Sequence, residues 1–171
     1  MGAMQSATLV PVEEYLKTVY RPDCEYVDGV LLERNVGEHD QARLQILIAG
    51  FFLSLEKTLR IYALTEARVQ VRPTRFRVPD ICVLRGGHPA GSIVTEAPFL
   101  CVEILSPEDR MSQVHSRIDD YLEMGVRFVW LIDPATRECW VFTKAGVERH
   151  REGILKTSDP DIVLNLAELP I

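Results

Sequence analysis

Two carboxylates stand where a folded chain has least use for them. Asp80 lies in "RVPDICVL", directly before Ile81, Cys82, Val83 and Leu84, and Glu103 lies in "FLCVEILS", between Val102 and Ile104. Apolar and β-branched runs of this length read as interior strands. An unpaired buried carboxylate costs several kcal/mol or takes up a proton to avoid the cost. Two of them on two strands call for a shared cation. Along a strand, side chains alternate between faces, so Asp80, Cys82 and Leu84 share one face and Cys101, Glu103 and Leu105 share another. If the two strands are neighbours, both acids point to the same side. Hard divalent cations such as Mg²⁺ take one or two carboxylates, often a backbone carbonyl, and several waters. Such an ion polarises a phosphoryl oxygen and acidifies an attacking water. The plainer alternative is that Asp80 caps a strand start after Pro79 while Glu103 pairs with a nearby arginine.

The elements that must position these acids can be read in order. A short helix follows Pro11 in "VPVEEYLKTV". Cys24–Val27 and Val30–Glu33 flank an Asp28-Gly29 turn, the pattern of a hairpin. From about Asp40 to Thr58, Leu44, Leu47, Ile48, Phe51 and Leu55 recur at helical spacing, and the segment is apolar enough to be nearly enclosed. Strands are expected at Ala67–Val71, Phe76–Leu84 and Phe99–Leu105. "SPED" offers Ser106 as an N-cap and Pro107 as a first helical position, with the helix proper over Ser112–Met124 and a stop at Gly125. Strands at Phe128–Ile132 and Glu138–Phe142 follow, then a hairpin at "KAGVER" and a last strand in "DIVLNLAELPI". The sum is α/β, a mixed sheet flanked by helices.

Composition narrows the function classes. The 171 residues suit one domain with a real core, at 47% hydrophobic and 26% charged. The net charge of −6 argues against a non-specific polyanion binder. A local basic strip is still available, because Arg68, Arg72, Arg75 and Arg77 fall within ten residues and 15 of the 19 basic residues are arginine. Arginine's planar fork suits phosphate, although a solvated hairpin explains the strip equally well. The four cysteines form no CxxC pair, and neither a zinc site nor a disulfide is expected. Residues 1–10 read as an unstructured leader, with "GAM" before Met4 a cloning remnant rather than a myristoylation signal, and residues 11–171 as one domain. The longest apolar run, Ile46–Leu53, is too short for a bilayer span, so a cytoplasmic protein is expected.

"VPDICVL", "FLCVEILSPEDR" and "RIDDYLEMGVRFVWLIDP", together with "EYVDGVLLER", resemble the Uma-type restriction endonuclease family, a branch of the PD-(D/E)XK nuclease superfamily. The likeness runs from about Tyr15 to Phe142. It implies an α-β-β-β-α-β core, a Mg²⁺ (with Mn²⁺ as substitute) held by Asp80, Glu103 and the carbonyl of Ile104, and Glu25 as an acid that completes the site. It also implies a nucleic-acid substrate, DNA above all, and a homodimer. One departure matters: the superfamily's lysine belongs two residues after the glutamate, where this chain has Leu105. In this branch a basic residue on the following helix takes that place, and the matching position is Arg117. The buried stripe Val114, Ile118, Tyr121, Leu122 leaves Arg117 on its edge, within reach of the acids. Arginine stays protonated, so its role would be to hold water or stabilise charge rather than to act as a base. The other possibility is a nuclease fold without chemistry, serving as a nucleic-acid-binding or protein-interaction module. His39, at the start of the long helix, is a weaker candidate for the site's edge, and Trp130 and Trp140 read as core aromatics.

Overall fold

In the computed structural model, which describes residues 8–35 and 37–170, two helices sandwich a six-stranded sheet and a smaller sheet closes one end. The helices are α1 (Val12–Lys17), α2 (His39–Leu59) and α3 (Met111–Met124). The first strands are β1 (Cys24–Val27), β2 (Val30–Glu33), β3 (Ile61–Thr65), β4 (Val69–Arg72), β5 (Arg75–Arg77) and β6 (Ile81–Arg85). They are followed by β7 (Leu100–Ile104), β8 (Phe128–Ile132), β9 (Cys139–Thr143), β10 (Gly146–His150), β11 (Ile154–Thr157) and β12 (Ile162–Asn165). The large sheet has the order β10-β9-β8-β7-β6-β3, with β7 and β8 parallel and the other pairs antiparallel. The small sheet is β2-β1-β5-β4. The path α2-β3-β6-β7-α3-β8 is the expected α-β-β-β-α-β core around a mixed sheet.

Period-two alternation decides which helix each strand residue meets. Ile81 and Val83 of β6 and Leu100, Val102 and Ile104 of β7 face α2, where they pack with Leu44, Ile48 and Phe52. Cys82, Leu84 and Cys101 face α3 and pack with Val114, Ile118 and Tyr121. Strand β7 is buried on both faces, as a central strand covered by helices must be. The β1–β2 turn has positive φ at both Asp28 (50°) and Gly29 (95°), the two-residue hairpin geometry that Asp-Gly favours.

Several expectations are corrected. The run Phe76–Leu84 is not one strand: it breaks at Val78-Pro79-Asp80, so β5 joins the small sheet and β6 the large one. Proline has no N–H for a ladder, and the break lets one apolar run serve two sheets. Consequently the third core strand is β3, which pairs with β6 from Ile61 opposite Arg85 to Thr65 opposite Ile81. Helix α2 is not nearly enclosed, since Ile46 and Leu53 are 64% and 58% exposed and only one face is buried. Ser106 does not cap α3. Its backbone N–H and hydroxyl both donate to Asp109, and the helix starts after Arg110. The leader boundary also moves: the N–H of Val10 donates to the Gly29 carbonyl at 2.8 Å, and its carbonyl accepts from the Tyr26 hydroxyl at 2.7 Å. Residues 1–7 of that leader lie outside the described residues. No helix among the described residues is long and apolar enough to cross a membrane.

Candidate metal centre and its arginines

The β6–β7 register pairs Ile81 with Val102 and Cys82 with Cys101, and one step further it sets Asp80 beside Glu103. A hydrogen bond fixes that junction: the Ile104 N–H donates to Asp80 Oδ2 at 2.7 Å. Both acids are 4% exposed. They line a cleft of about 350 Å³ whose walls also carry Glu25, Arg34, Gln41 and Arg117. Each wall comes from a different element. Strand β7 delivers Glu103, the β5–β6 break delivers Asp80, the hairpin delivers Glu25 and Arg34, α2 delivers Gln41, and α3 delivers Arg117.

Every carboxylate oxygen at the centre has a partner. Asp80 Oδ1 accepts from Arg34 Nη2 at 2.9 Å. Glu103 Oε1 accepts from the buried Tyr121 hydroxyl at 2.7 Å, and Glu103 Oε2 lies 3.1 Å from Arg117 Nε. That last contact is an ion pair without hydrogen-bond alignment, for Arg117 Nε has no acceptor in line with it. A second Arg117 nitrogen lies 3.5 Å from Asp109 Oδ1. Arg117 therefore leans over Glu103 from the edge of α3, as its place beside the buried stripe predicts.

Electrostatics follow from burial. Desolvation pushes the Asp80 carboxyl above its ordinary range, against the pull of Arg34 and the Ile104 N–H. Glu103 is pushed up to about 7, again chiefly by desolvation, with Arg117 opposing and the charges of Asp80 and Glu25 adding. Burial would lower Arg117, but the Glu103 carboxylate overrides it and the guanidinium is held more firmly protonated. Arg34 is raised in the same way by Asp80.

Ile104 and Glu25 occupy their expected neighbourhoods with different partners. The Ile104 carbonyl accepts from Gln41 Nε2 at 2.9 Å, and one turn along α2 Gln45 Nε2 donates to the Asp80 carbonyl at 3.0 Å. Glu25 does not face the two acids as a free ligand. Its Oε2 accepts from Arg77 Nη1 at 2.7 Å and its Oε1 from the Val78 N–H at 3.1 Å. Glu25 thus braces the wall of the cleft. Arg77, 2% exposed, forks onto Asp120 of α3 through Nε at 2.7 Å as well. The arginines of the basic strip all have partners within the chain. Arg75 binds Asp28 and Asp120, Arg72 binds Glu123, and Arg68 donates to the Thr18 carbonyl. His39 is an exposed residue beside Asp40, outside the cleft lining. Trp130 is fully buried in the core, whereas Trp140 is half-buried under Arg149.

Sequence reasoning missed Arg34, Gln41, Gln45, Arg77 and Tyr121 as parts of this centre. The only signal for the glutamines is their i, i+4 spacing on the first turns of α2, which aims both at one place.

The donor chemistry fits a hard divalent cation. Two carboxylates and a carbonyl converge on one cleft, and Gln41 Oε1 is a buried acceptor with no donor on the same wall. Among the described residues no cluster of three His, Cys, Asp or Glu side chains gathers, so waters or substrate oxygens would complete such a shell.

Comparison with known proteins agrees with this frame. A family model described as "Uma2: Putative restriction endonuclease" matches residues 12–169. No curated protein matches. Among solved structures, a putative nuclease belonging to DUF820 from Anabaena variabilis is similar over 86% of this chain and 88% of its own, at 25% identity and a TM-score of 0.76. The fold is shared with this putative nuclease, and the chain belongs to the Uma2 putative restriction endonuclease family.

Proposed function

We propose that this protein is a Mg²⁺-dependent endonuclease that hydrolyses phosphodiester bonds in nucleic acid, with DNA the substrate, and that it works in the cytoplasm as a homodimer. One observation carries the reading: two buried acids, one on β7 and one at the break before β6, meet at a cleft that also offers the Ile104 carbonyl, an undonated amide oxygen and a guanidinium. Asp80, Glu103 and the Ile104 carbonyl would hold the cation, with Mn²⁺ as a substitute. Held by these residues, such an ion would supply Lewis acidity for a phosphoryl oxygen and for an attacking water. Tyr121 and Arg117 orient Glu103 and favour its ionised form against the effect of burial. Arg117, charged at every working pH, stabilises the negative charge that builds on the phosphorus oxygens. Glu25 acts through Arg77, fixing α3 and with it Arg117. Gln41 and Gln45 hold the backbone on which both acids sit.

The experiment is single-turnover cleavage of mixed single- and double-stranded DNA with Mn²⁺. Arg117→Ala lowers the rate by about 100-fold or more, the scale for losing one preorganised donor. Arg117→Lys keeps part of the activity, since a charge is retained with a different reach. An alanine variant as fast as wild type refutes the role. A second reading has one observation behind it, namely that both acids already own internal counter-ions in Arg34 and Arg117. A folded wild type that binds the cation and cleaves nothing favours that reading, a nucleic-acid-binding or protein-interaction module on a nuclease fold.

A further inference from the structure

Arg34 has no part in the function just described, yet it makes the shortest contact between a guanidinium and the two acids. Its Nη2 lies 2.9 Å from Asp80 Oδ1. The other oxygen of Asp80 is committed to the Ile104 N–H at 2.7 Å. Each carboxylate oxygen has room for more than one partner, but Oδ1 is the oxygen without a backbone donor, and Arg34 holds it. Arg34 also has somewhere to go. It follows the end of β2, anchored by its own N–H to the Asp23 carbonyl at 2.9 Å, and its Nη1 already lies 3.8 Å from Glu66 Oε1. Glu66 is 56% exposed at the side chain, against 6% for Asp80, so it is a solvated second partner at the lip of the site.

We infer that Arg34 is a tethered competitor for the divalent cation: it neutralises Asp80 in the metal-free protein and swings to Glu66 when a cation arrives. The inference rests on the metal reading of Asp80 and Glu103 given above. It explains how the fold can bury Asp80 before an ion arrives. Burying the pair unneutralised would cost several kcal/mol, and the guanidinium removes that cost until the ion takes over. The consequence is a threshold. Cation affinity is set by the difference between the ion and Arg34 at one oxygen rather than by the acids alone.

Mn²⁺ calorimetry on the intact protein tests this, with Arg34→Gln, Arg34→Lys, Glu66→Gln and the Arg34→Gln/Glu66→Gln double variant beside wild type. Glutamine keeps a donor for Asp80 and loses the charge. Arg34→Gln tightens Mn²⁺ binding by about 10-fold or more, because the ion no longer has to displace a charge-assisted hydrogen bond from Asp80. Arg34→Lys stays closer to wild type. Glu66→Gln weakens binding a few-fold in the wild-type background and has less effect when Arg34 is absent, a coupling that a general loss of negative charge does not give. Glu66 is exposed, so this arm does not depend on Arg34→Gln folding. Equal Mn²⁺ affinity in wild type and Arg34→Gln, or additive effects in the double variant, overturns the competitor and leaves the metal site standing. No Mn²⁺ binding in any folded variant overturns both.

Discussion

Arg77→Met removes the guanidinium that joins the small sheet to α3. The side chain is 2% exposed and donates to Glu25 at 2.7 Å, to Asp120 at 2.7 Å and to the Ser116 hydroxyl at 3.0 Å. Methionine fills a similar volume but leaves two buried carboxylates without their shared cation. Breaking a buried ion pair by deleting one partner typically costs 3–5 kcal/mol, roughly. Here each acid keeps one donor, the Val78 N–H at 3.1 Å for Glu25 and Arg75 at 2.8 Å for Asp120, which stops the two losses from adding in full. The expected cost is therefore about 3–5 kcal/mol, a large part of the ~5–15 kcal/mol that holds a domain together. It corresponds to a fall in melting temperature of roughly 10 °C. Urea unfolding followed by far-ultraviolet circular dichroism reads it. Adding Glu25→Gln and Asp120→Asn to Arg77→Met recovers more than half of the loss, since the carboxylate charges are then gone. A single variant within about 1 kcal/mol of wild type, or a triple variant no better than the single, refutes the argument.

In metal-free buffer, burial makes the protein's stability fall as pH rises. Glu103 is pushed up to about 7, so between its unfolded value and that pH the folded chain holds a proton the unfolded chain has lost. The stability of wild type minus that of Glu103→Gln, from urea midpoints, falls across about pH 5 to 7 by on the order of 3 kcal/mol and then levels; a flat difference contradicts the burial argument. In solution the protein is expected as a homodimer, the commonest closed assembly, with a light-scattering mass twice 19.4 kDa; a mass near 19.4 kDa at micromolar concentration rules it out.

What was legible in the sequence was whatever depends on alternation along one element. Asp80 and Glu103 stand out because a carboxylate in a run of Ile, Val and Leu breaks an otherwise uniform pattern, and the shared face followed from period two. Arg117 was implied by the family resemblance, and the α3 stripe put it on the edge within reach of the acids. The hairpin and α3's stop at Gly125 also rest on local signals. What was hidden depends on partners distant in sequence. Arg77 reads as a solvent-facing strand residue, and only Glu25, 52 positions earlier, and Asp120, 43 later, make it a buried one. Arg34 is likewise invisible until the hairpin folds against Asp80, 46 positions on. Strand β3 escaped because "IYALT" follows α2 directly and is apolar on both faces, Ile61 and Ala63 packing on one side and Tyr62 and Leu64 on the other, so it carries no polar alternation. The β5–β6 break was signalled by Pro79, but a continuous apolar run outweighed it.

The central claim is that Asp80 and Glu103 together hold a divalent cation. The most direct test is a calorimetric titration of the intact wild-type protein with Mn²⁺, beside Asp80→Asn and Glu103→Gln variants shown to be folded by circular dichroism. The account predicts one saturable site in wild type that each substitution abolishes, because the near-isosteric amides keep the shape and remove the charge that the ion needs. Mn²⁺ affinity unchanged by either amide would contradict it.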